Sequence, residues 1–294
     1  MIPLLDPFRT SPRPNVRIGR AVQALSVITV LILAPGLSFA AGPPVIQLST
    51  VTAAAGGTLL MPVSFQASEG KGVSTLVLRL SIPALRVTLL DVIPDASVAA
   101  SGKSLDFETG NNQLSICVFG GTSDITSGGL CLLLLRLLPD NLPGTSITVA
   151  DVGSHGADKE ASAVVVDVQE GVITAATGTN PHVADSNKDW SVSLPELLRI
   201  IQFYNVGNHH CDAATADGFA PGPGNTECQH HDADYTPADW TISFVELLRL
   251  IQLYNSPYGT YHVLAGTEDG FSPGPFGIVY DKRFARIYEP LYSR

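Results

Sequence analysis

The chain has 294 residues, a formal net charge of −10 and only 15% charged residues. This acidity argues against nucleic acid as a partner and suits hard cations better. The length is enough for one large domain or two modest ones. No segment after the N-terminal region is long and apolar enough to be predicted as a membrane span.

Residues 1–40 have the pattern of a secretory signal peptide. Four arginines precede an apolar segment at residues 22–33, and small residues around Ala40 offer a cleavage point. The alternative is an uncleaved anchor helix, but the apolar run is short for a span and Pro35-Gly36 interrupts its end. We therefore expect a mature protein that is secreted or held at the cell surface, where disulfides form.

Residues 45–174 are rich in Val, Leu, Ile, Thr, Ser and Gly, and turn signals separate several runs of strand length. The run TLVLRLSI alternates sharply, with Leu76, Leu78, Leu80 and Ile82 on one face. The run LCLLLLRLL is predicted to be a strand buried on both faces. Many short strands at regular spacing predict a jelly-roll-like, antiparallel β-sandwich, so the predicted fold class is mainly β.

Aromatic usage changes abruptly after residue 174. The preceding segment holds Phe65, Phe107 and Phe119 but no Trp or Tyr, whereas both tryptophans and all eight tyrosines come later. We therefore predict a linker at residues 175–181 and a small helical module at residues 182–275. Residues 276–294 form an aromatic and basic tail to which the sequence assigns no role.

The sequence ADSNKDWSVSLPELLRIIQFYN at residues 184–205 returns in altered form as DWTISFVELLRLIQLYN at residues 239–255. Oxygen-bearing residues of the first copy have the spacing of an EF-hand calcium loop. The candidate ligands are Asp185, Asn187, Asp189, the carbonyl of Ser191, Ser193 and Glu196. Calcium takes six to eight oxygen ligands, and alternate residues of a tight loop can point inward together. Position 6 is Trp190, where the motif prefers Gly.

A helix capping box is the alternative explanation of Ser193 and Glu196, because S-x-x-E also caps a helix without any metal. It does not explain the acidic residues just upstream. In the second copy, alignment of Trp240 on Trp190 puts Tyr235 in the first ligand position. If this loop has one extra residue, the ligands are Asp234, Thr236, Asp239, the carbonyl of Thr241, Ser243 and Glu246.

An amphipathic helix follows each loop. The apolar positions are Leu194, Leu197, Leu198, Ile201 and Tyr204 in the first, and Phe244, Leu247, Leu248, Ile251 and Tyr254 in the second. Each helix is too short to be stable alone in water. We therefore expect the two apolar stripes to pack against each other and form the core of the module.

This loop–helix duplication resembles the type I dockerin, the calcium-binding, EF-hand-like module of cellulosome-like assemblies. The preceding sandwich, with GTLLMPVSF near its start and VVVDVQEGVIT at its end, looks like a cohesin or the related carbohydrate-binding superfamily. The resemblance implies Ca²⁺ as cofactor and an extracellular protein partner or self-association. Loop positions 10 and 11 are Leu194-Pro195 and Phe244-Val245, not the small hydroxyl residues that often contact a cohesin.

The chain contains four cysteines. Cys211 and Cys228 bracket the Gly/Pro-rich loop TADGFAPGP, which is echoed after the second helix as TEDGFSPGP. In an exported protein we predict a disulfide between them, and the neighbouring histidines leave a zinc site as the alternative. Cys117 and Cys131, expected on neighbouring strands of one hairpin, are left open as a pair or as buried thiols.

No nucleophile motif and no carboxylate spacing typical of catalysis is found, so the chain is not predicted to be an enzyme. The sequence favours a secreted, non-catalytic scaffolding or adhesion protein. The alternative is a carbohydrate-binding module protein associated with extracellular polysaccharide degradation, with a polysaccharide as its partner. A sandwich without Trp or Tyr argues against a flat platform for cellulose.

Overall fold

The computed structural model describes residues 42–276. The signal peptide predicted at residues 1–40 and the tail after residue 276 lie outside the described residues. Two sheets form a sandwich over residues 45–175, and a small module of helices and hairpins follows. Within the described part of the chain, no helix combines the length and apolar character needed to cross a membrane.

The first sheet has five strands. In spatial order they are β12 (Asp167–Gln169), β1 (Val45–Leu48), β3 (Thr58–Gln66), β8 (Gly128–Leu137) and β5 (Val87–Pro94). A short helix, α1 (Ala96–Ala100), follows β5, and the Asp95 side chain caps it by accepting the Ser97 N–H.

The second sheet has eight strands. Six of them follow the order β11 (Ala163–Val164), β10 (His155–Ala157), β4 (Thr75–Ser81), β9 (Ser146–Asp151), β13 (Gly171–Ala175) and β2 (Val51–Ala53). The other two extend it sideways, since β7 (Gln113–Phe119) pairs with β4 and β6 (Ser104–Gly110) pairs with β7.

Two strand pairs are parallel, which corrects the expectation of a purely antiparallel sandwich. Strand β1 runs parallel to β12, and β2 runs parallel to β13. The cause is that β1 and β2, though close in sequence, lie in different sheets. Each of them borders one of the last strands of the sandwich, which runs in the same direction.

The sandwich core forms where alternating strands meet. Leu76, Leu78 and Leu80 are at most 1% exposed, as the alternation predicts. The prediction that β8 is buried on both faces is confirmed, because Leu133, Leu134 and Leu135 are all at most 3% exposed. Each fully buried leucine contributes about 1.5–3 kcal/mol relative to an exposed one.

Cys117 and Cys131 do not lie in one hairpin, which corrects that expectation. Cys117 is on β7 in one sheet, and Cys131 is on β8 in the other. The chain passes from sheet to sheet between them instead of turning back on itself. Both are free thiols, and burial raises the pKa of Cys131 to about 12, so this thiol is protonated and unreactive at neutral pH.

The module consists of two repeats of loop, helix and two-stranded hairpin. The first repeat contains α2 (Leu194–Val206), β14 (His209–Cys211) and β15 (Phe219–Pro221). The second contains α3 (Phe244–Tyr254), β16 (Tyr261–Val263) and β17 (Phe271–Pro273). Both helices begin with a capping box, formed by Ser193 with Glu196 and by Ser243 with Glu246.

Only part of each predicted apolar stripe is buried. The module core contains Leu197, Ile200 and Phe203 of α2 and Leu247, Leu250 and Leu253 of α3. Leu194, Leu198, Phe244 and Leu248 point outward instead, with exposed fractions of 52%, 47%, 59% and 40%. The expectation that one stripe holds all these residues is therefore wrong. The two helices bury their faces centred on Ile200 and Leu250 and leave a second apolar face free.

Candidate functional site

The first loop is organised around the carboxylate of Asp185, which is 2% exposed. Its Oδ1 accepts the Asp189 N–H at 3.1 Å, and its Oδ2 accepts the Trp190 N–H at 2.8 Å. The hydroxyl of Tyr261 donates to the same Oδ2 at 2.6 Å. Burial raises the pKa of Asp185, although these hydrogen bonds oppose the rise.

Glu196 closes the same loop from its far end. Its Oε1 accepts the Ser186 and Asn187 N–H groups at 2.8 and 3.4 Å, and its Oε2 accepts the Ser193 N–H at 2.8 Å. Burial alone would raise the pKa of Glu196, but the bonds from Ser193 and Ser186 outweigh it and lower the pKa. Glu196 is thus an ionised carboxylate that ties both ends of the loop together.

Trp190 occupies the sharp turn of the loop. Its φ of 62° lies in the left-handed region, where the EF-hand motif normally places glycine. A non-glycine residue in this conformation costs roughly 1–2 kcal/mol. The indole is 2% exposed, and its burial in the module core offsets that cost. Trp240 has a φ of 68° at the corresponding turn.

The second loop repeats these bonds with one extra residue. Asp234 accepts the Asp239 N–H at 3.0 Å and the Trp240 N–H at 2.8 Å, as Asp185 does in the first loop. Glu246 accepts the Thr236 N–H at 2.9 Å. Asp234, and not Tyr235, therefore corresponds to Asp185. Pro237 and Ala238 stand where the first loop has Lys188 alone.

Each hairpin contacts the loop of the other repeat. The Tyr261 N–H on β16 donates to the Trp190 carbonyl of the first loop, and the His209 N–H on β14 donates to the Trp240 carbonyl of the second, both at 3.1 Å. The side chains differ, because His209 Nε2 lies 3.7 Å from the Asp234 carboxylate while the Tyr261 hydroxyl bonds Asp185. Burial lowers the pKa of His209.

An arginine on each helix holds the Gly/Pro-rich loop of its own repeat. Arg199 donates to Asp217 at 2.7 and 3.1 Å and also to the Phe219 carbonyl. Arg249 contacts Asp269 and the Phe271 carbonyl in the same way. The sequence analysis did not pair these residues, although the echo of TADGF in TEDGF was the signal that could have found them.

The insert between the helices is held by a disulfide between Cys211 and Cys228. Its sulfurs are therefore not free for zinc. The neighbouring histidines contact other groups. His209 and His231 are buried and pack against each other and against Phe203 and Phe219, while His210 Nδ1 lies 2.9 Å from the Gly222 carbonyl and His230 Nδ1 lies 2.9 Å from Asp234.

The predicted calcium ligands lie close together but bond mainly to the loops themselves. The Asn187 amide donates to Asp189, and Thr241 bonds Asp239 through both its N–H and its hydroxyl. Within residues 42–276 no three His, Cys, Asp or Glu side chains are gathered as in a metal cluster. The donor set of the first loop still fits calcium by chemistry, since it offers oxygens alone and has the required turn at position 6. The second loop fits less well, because imidazole nitrogens border Asp234.

The sandwich offers two surfaces. On the second sheet Arg79, Ser115 and Glu108 are cross-strand neighbours on the face opposite the core leucines, which makes that face polar. An open cleft of about 550 Å³ lies near β11 and is lined by Lys71, Asp124 and Asp158 among others. Its lining contains no aromatic side chain on which a sugar ring could stack.

Solved cohesin structures are similar to this chain over slightly less than half of its length. The sixth cohesin of scaffoldin B from Acetivibrio cellulolyticus, in complex with a Cel5 dockerin mutant, is 16% identical, with a TM-score of 0.40, 46% of this chain and 99% of that chain covered. The non-cellulosomal cohesin from Archaeoglobus fulgidus is 18% identical, with a TM-score of 0.40 and coverage of 46% and 93%. A Clostridium thermocellum type I cohesin–dockerin complex, Coh-OlpC-Doc435, gives 18% identity, a TM-score of 0.41 and coverage of 46% and 94%.

At this identity and TM-score the likeness does not extend to function, and it covers less than half of this chain. No protein-family model matches the chain, and no curated protein sequence matches it either. The sandwich is thus similar to cohesins.

Proposed function

We propose that this chain is an exported, non-catalytic scaffolding or adhesion protein whose C-terminal module binds a protein partner. The observation that carries the proposal is the outward apolar face repeated on α2 and α3, with Leu194 and Leu198 matched by Phe244 and Leu248. Exposed apolar side chains that adjoin one another mark interaction surfaces, and Leu194 with Leu198, like Phe244 with Leu248, are neighbours one helical turn apart. The polar face around Arg79 and Glu108 gives the sandwich a second surface for a protein.

The dockerin-like part of the proposal is calcium binding at the first loop. Asp185, Asn187, Asp189, Ser193, Glu196 and the carbonyl of Ser191 would hold the ion. Calcium would take the place of some N–H groups as the partner of the buried Asp185 and Glu196 carboxylates, and its positive charge would stabilise the loop. We propose occupancy of the second loop through Asp234, Thr236, Asp239, Thr241, Ser243 and Glu246 on the same grounds. The histidines beside Asp234 favour weaker binding there.

A melting experiment tests the calcium proposal. The mature chain should gain thermal stability with Ca²⁺ and lose the gain with a chelator, because an ion bound only to the folded state stabilises it. The double variant Asp185→Ala, Asp189→Ala should lose most of that gain. The matched variant Asp234→Ala, Asp239→Ala shows how much of it belongs to the second loop. Identical melting curves with and without calcium would refute calcium binding, and the two loops would then be explained as helix caps alone.

A capture experiment tests the docking surface. The immobilised mature chain is exposed to the surface fraction of the exporting cell, and the captured protein is then purified and titrated. Leu198→Asp with Leu248→Asp should weaken its binding by at least about a hundred-fold, since burying one leucine is worth about 1.5–3 kcal/mol. Gln66→Asp with Gln169→Asp, at exposed positions on strands β3 and β12 of the sandwich, adds equal charge as the control. Equal loss in both variants would contradict an apolar interface.

A retention assay tests the alternative. The mature chain is applied to cellulose, chitin and pectin, and its sedimentation velocity reports self-association. Strong retention on an insoluble glycan without a protein partner would favour the carbohydrate-binding function instead.

A further inference from the structure

The first loop is fastened to the sandwich, which the sequence did not indicate. The indole Nε1 of Trp190 donates to the Ala55 carbonyl at 2.8 Å. A Cβ placed on Gly56 would lie 3.2 Å from Cδ1 of the same indole, so the ring rests directly on this glycine. Ala55 and Gly56 belong to the turn between β2 and β3, and the φ of Gly56 is 81°.

The turn that receives Trp190 is itself held firmly by the sandwich. The Gly56 N–H donates to the Leu137 carbonyl and the Leu137 N–H donates to the Gly57 carbonyl, both at 2.9 Å. A displacement of Trp190 therefore acts on the end of β8, a central strand of the first sheet.

A second contact lies just beyond this turn. Phe276, shortly after β17, pairs with β3: its N–H donates to the Thr58 carbonyl at 2.8 Å, and the Leu60 N–H donates to its carbonyl at 2.9 Å. The Phe276 side chain packs against the sandwich core. Because β17 pairs with the strand that carries Tyr261, the two contacts converge on the first loop.

The second loop has no such link among the described residues. Trp240 repeats the backbone bonds of Trp190, but its indole packs on His230, with ring centroids 4.4 Å apart. In the first loop, one residue joins the Asp185 carboxylate through its N–H to the sandwich through its indole. The pseudo-symmetry of the module is broken at this tryptophan.

We propose that the first loop is the joint between the module and the sandwich, so that Ca²⁺ bound at this loop stabilises residues 54–60 of the sandwich through Trp190. This coupling rests on the calcium binding proposed above. It gives the two similar loops different roles: the first sets how firmly the module is held, and the second is free of the sandwich. The outward helix faces remain available to a partner.

Hydrogen exchange of the mature chain tests the joint, with and without Ca²⁺, in the wild type, Trp190→Phe and Trp240→Phe. Calcium should slow exchange in residues 185–196 by up to about a hundred-fold at a concentration of 100 Kd. In the wild type and Trp240→Phe, residues 54–60 should slow at least about five-fold as well. In Trp190→Phe the loop should slow as before, but residues 54–60 should slow less than in Trp240→Phe, because the bond to Ala55 is gone and only the Phe276 contact remains.

The outcomes separate the two proposals. If calcium slows the loop but leaves residues 54–60 unchanged in the wild type, the coupling is refuted while calcium binding stands. If calcium changes the exchange of neither segment, calcium binding is refuted. The contact between the first loop and the sandwich is then tested by comparing the metal-free variants. Faster exchange of residues 54–60 in Trp190→Phe than in Trp240→Phe would support a stabilising contact through Trp190, and equal exchange would refute that contact.

A fluorescence measurement keeps the test open if Trp190→Phe does not fold. In Trp240→Phe, Trp190 is the sole tryptophan, since the chain has two. Its emission should be that of a buried indole, and acrylamide should quench it at least about five-fold more after chelation. Unchanged quenching, together with calcium protection of residues 185–196 in the same variant, would refute the coupling.

Discussion

Tyr261→Phe should destabilise the module strongly, although it removes a single oxygen atom. The Tyr261 side chain is fully buried, and its hydroxyl both donates to Asp185 and accepts the His182 N–H at 2.9 Å. A hydrogen bond to a charged group contributes about 1.5–3 kcal/mol, and an unsatisfied buried N–H costs about 1–3 kcal/mol. With partial relaxation, we expect a loss of about 3 kcal/mol in the free energy of unfolding.

Urea denaturation, followed by the fluorescence of Trp190 and Trp240, measures this loss, because both probes lie in the module. Tyr204→Phe is the matched control: Tyr204 lies on the outer side of α2, 37% exposed, and its variant should change stability by less than about 0.5 kcal/mol. The loss should appear with calcium and with chelator, since the bond forms within the chain. A difference between the two variants below about 1 kcal/mol would refute the role assigned to this hydroxyl.

Three further predictions concern other parts of the molecule. Burial tends to raise the pKa of Asp217, but the bonds from Arg199, Phe219 and Thr215 lower it overall. The contribution of Asp217 to the free energy of unfolding is therefore present above the unfolded pKa of about 3.9 and is lost as pH falls through the folded pKa. Asp217→Asn should flatten the acid side of the profile of stability against pH, measured by urea titrations between about pH 6 and 3. Cys211→Ser with Cys228→Ser should lower the free energy of unfolding by about 3 kcal/mol. Intact mass of the wild type after thiol labelling in denaturant, without a reductant, should find Cys117 and Cys131 as the only thiols. Gly171→Ala should cost about 1–3 kcal/mol by thermal denaturation, because its Cβ would lie 2.8 Å from Met61 Sδ and 2.9 Å from Leu48 Cβ; Gly110→Ala, which meets nothing within 4 Å, is the control.

The helices and many of the strands could be predicted from the sequence, but the buried face of each helix and the neighbours of each strand could not. Alternation around Leu78 and the duplicated helices are local patterns with a fixed period, so they could be predicted from neighbouring residues. Which face of each helix is buried depends on the twin repeat. Periodicity alone therefore placed Leu194 and Leu198 on the predicted buried face of α2, although both are exposed.

The candidate site shows the same division. The ligand types from Asp185 to Glu196 follow a short motif and could be found in the sequence. The contacts of Tyr261 and Ala55 with the loop could not be found in this way. Tyr261 is 76 residues from Asp185 in sequence, and Ala55 is 135 residues from Trp190. Strand order was equally hidden, since a parallel pair such as β1 with β12 is set by sheet assignment and not by local pattern.

The crossed arrangement of the hairpins determines what a single repeat would need in order to fold. Each repeat takes a backbone donor for its loop from the other repeat, so a single repeat leaves its Trp carbonyl without that donor and one face of its helix without cover. A polypeptide with one repeat could satisfy both needs only by pairing with an identical chain around a two-fold axis, where each hairpin contacts the other subunit. Within one chain the two donors need not be identical, and the residues that supply them, Tyr261 and His209, do differ.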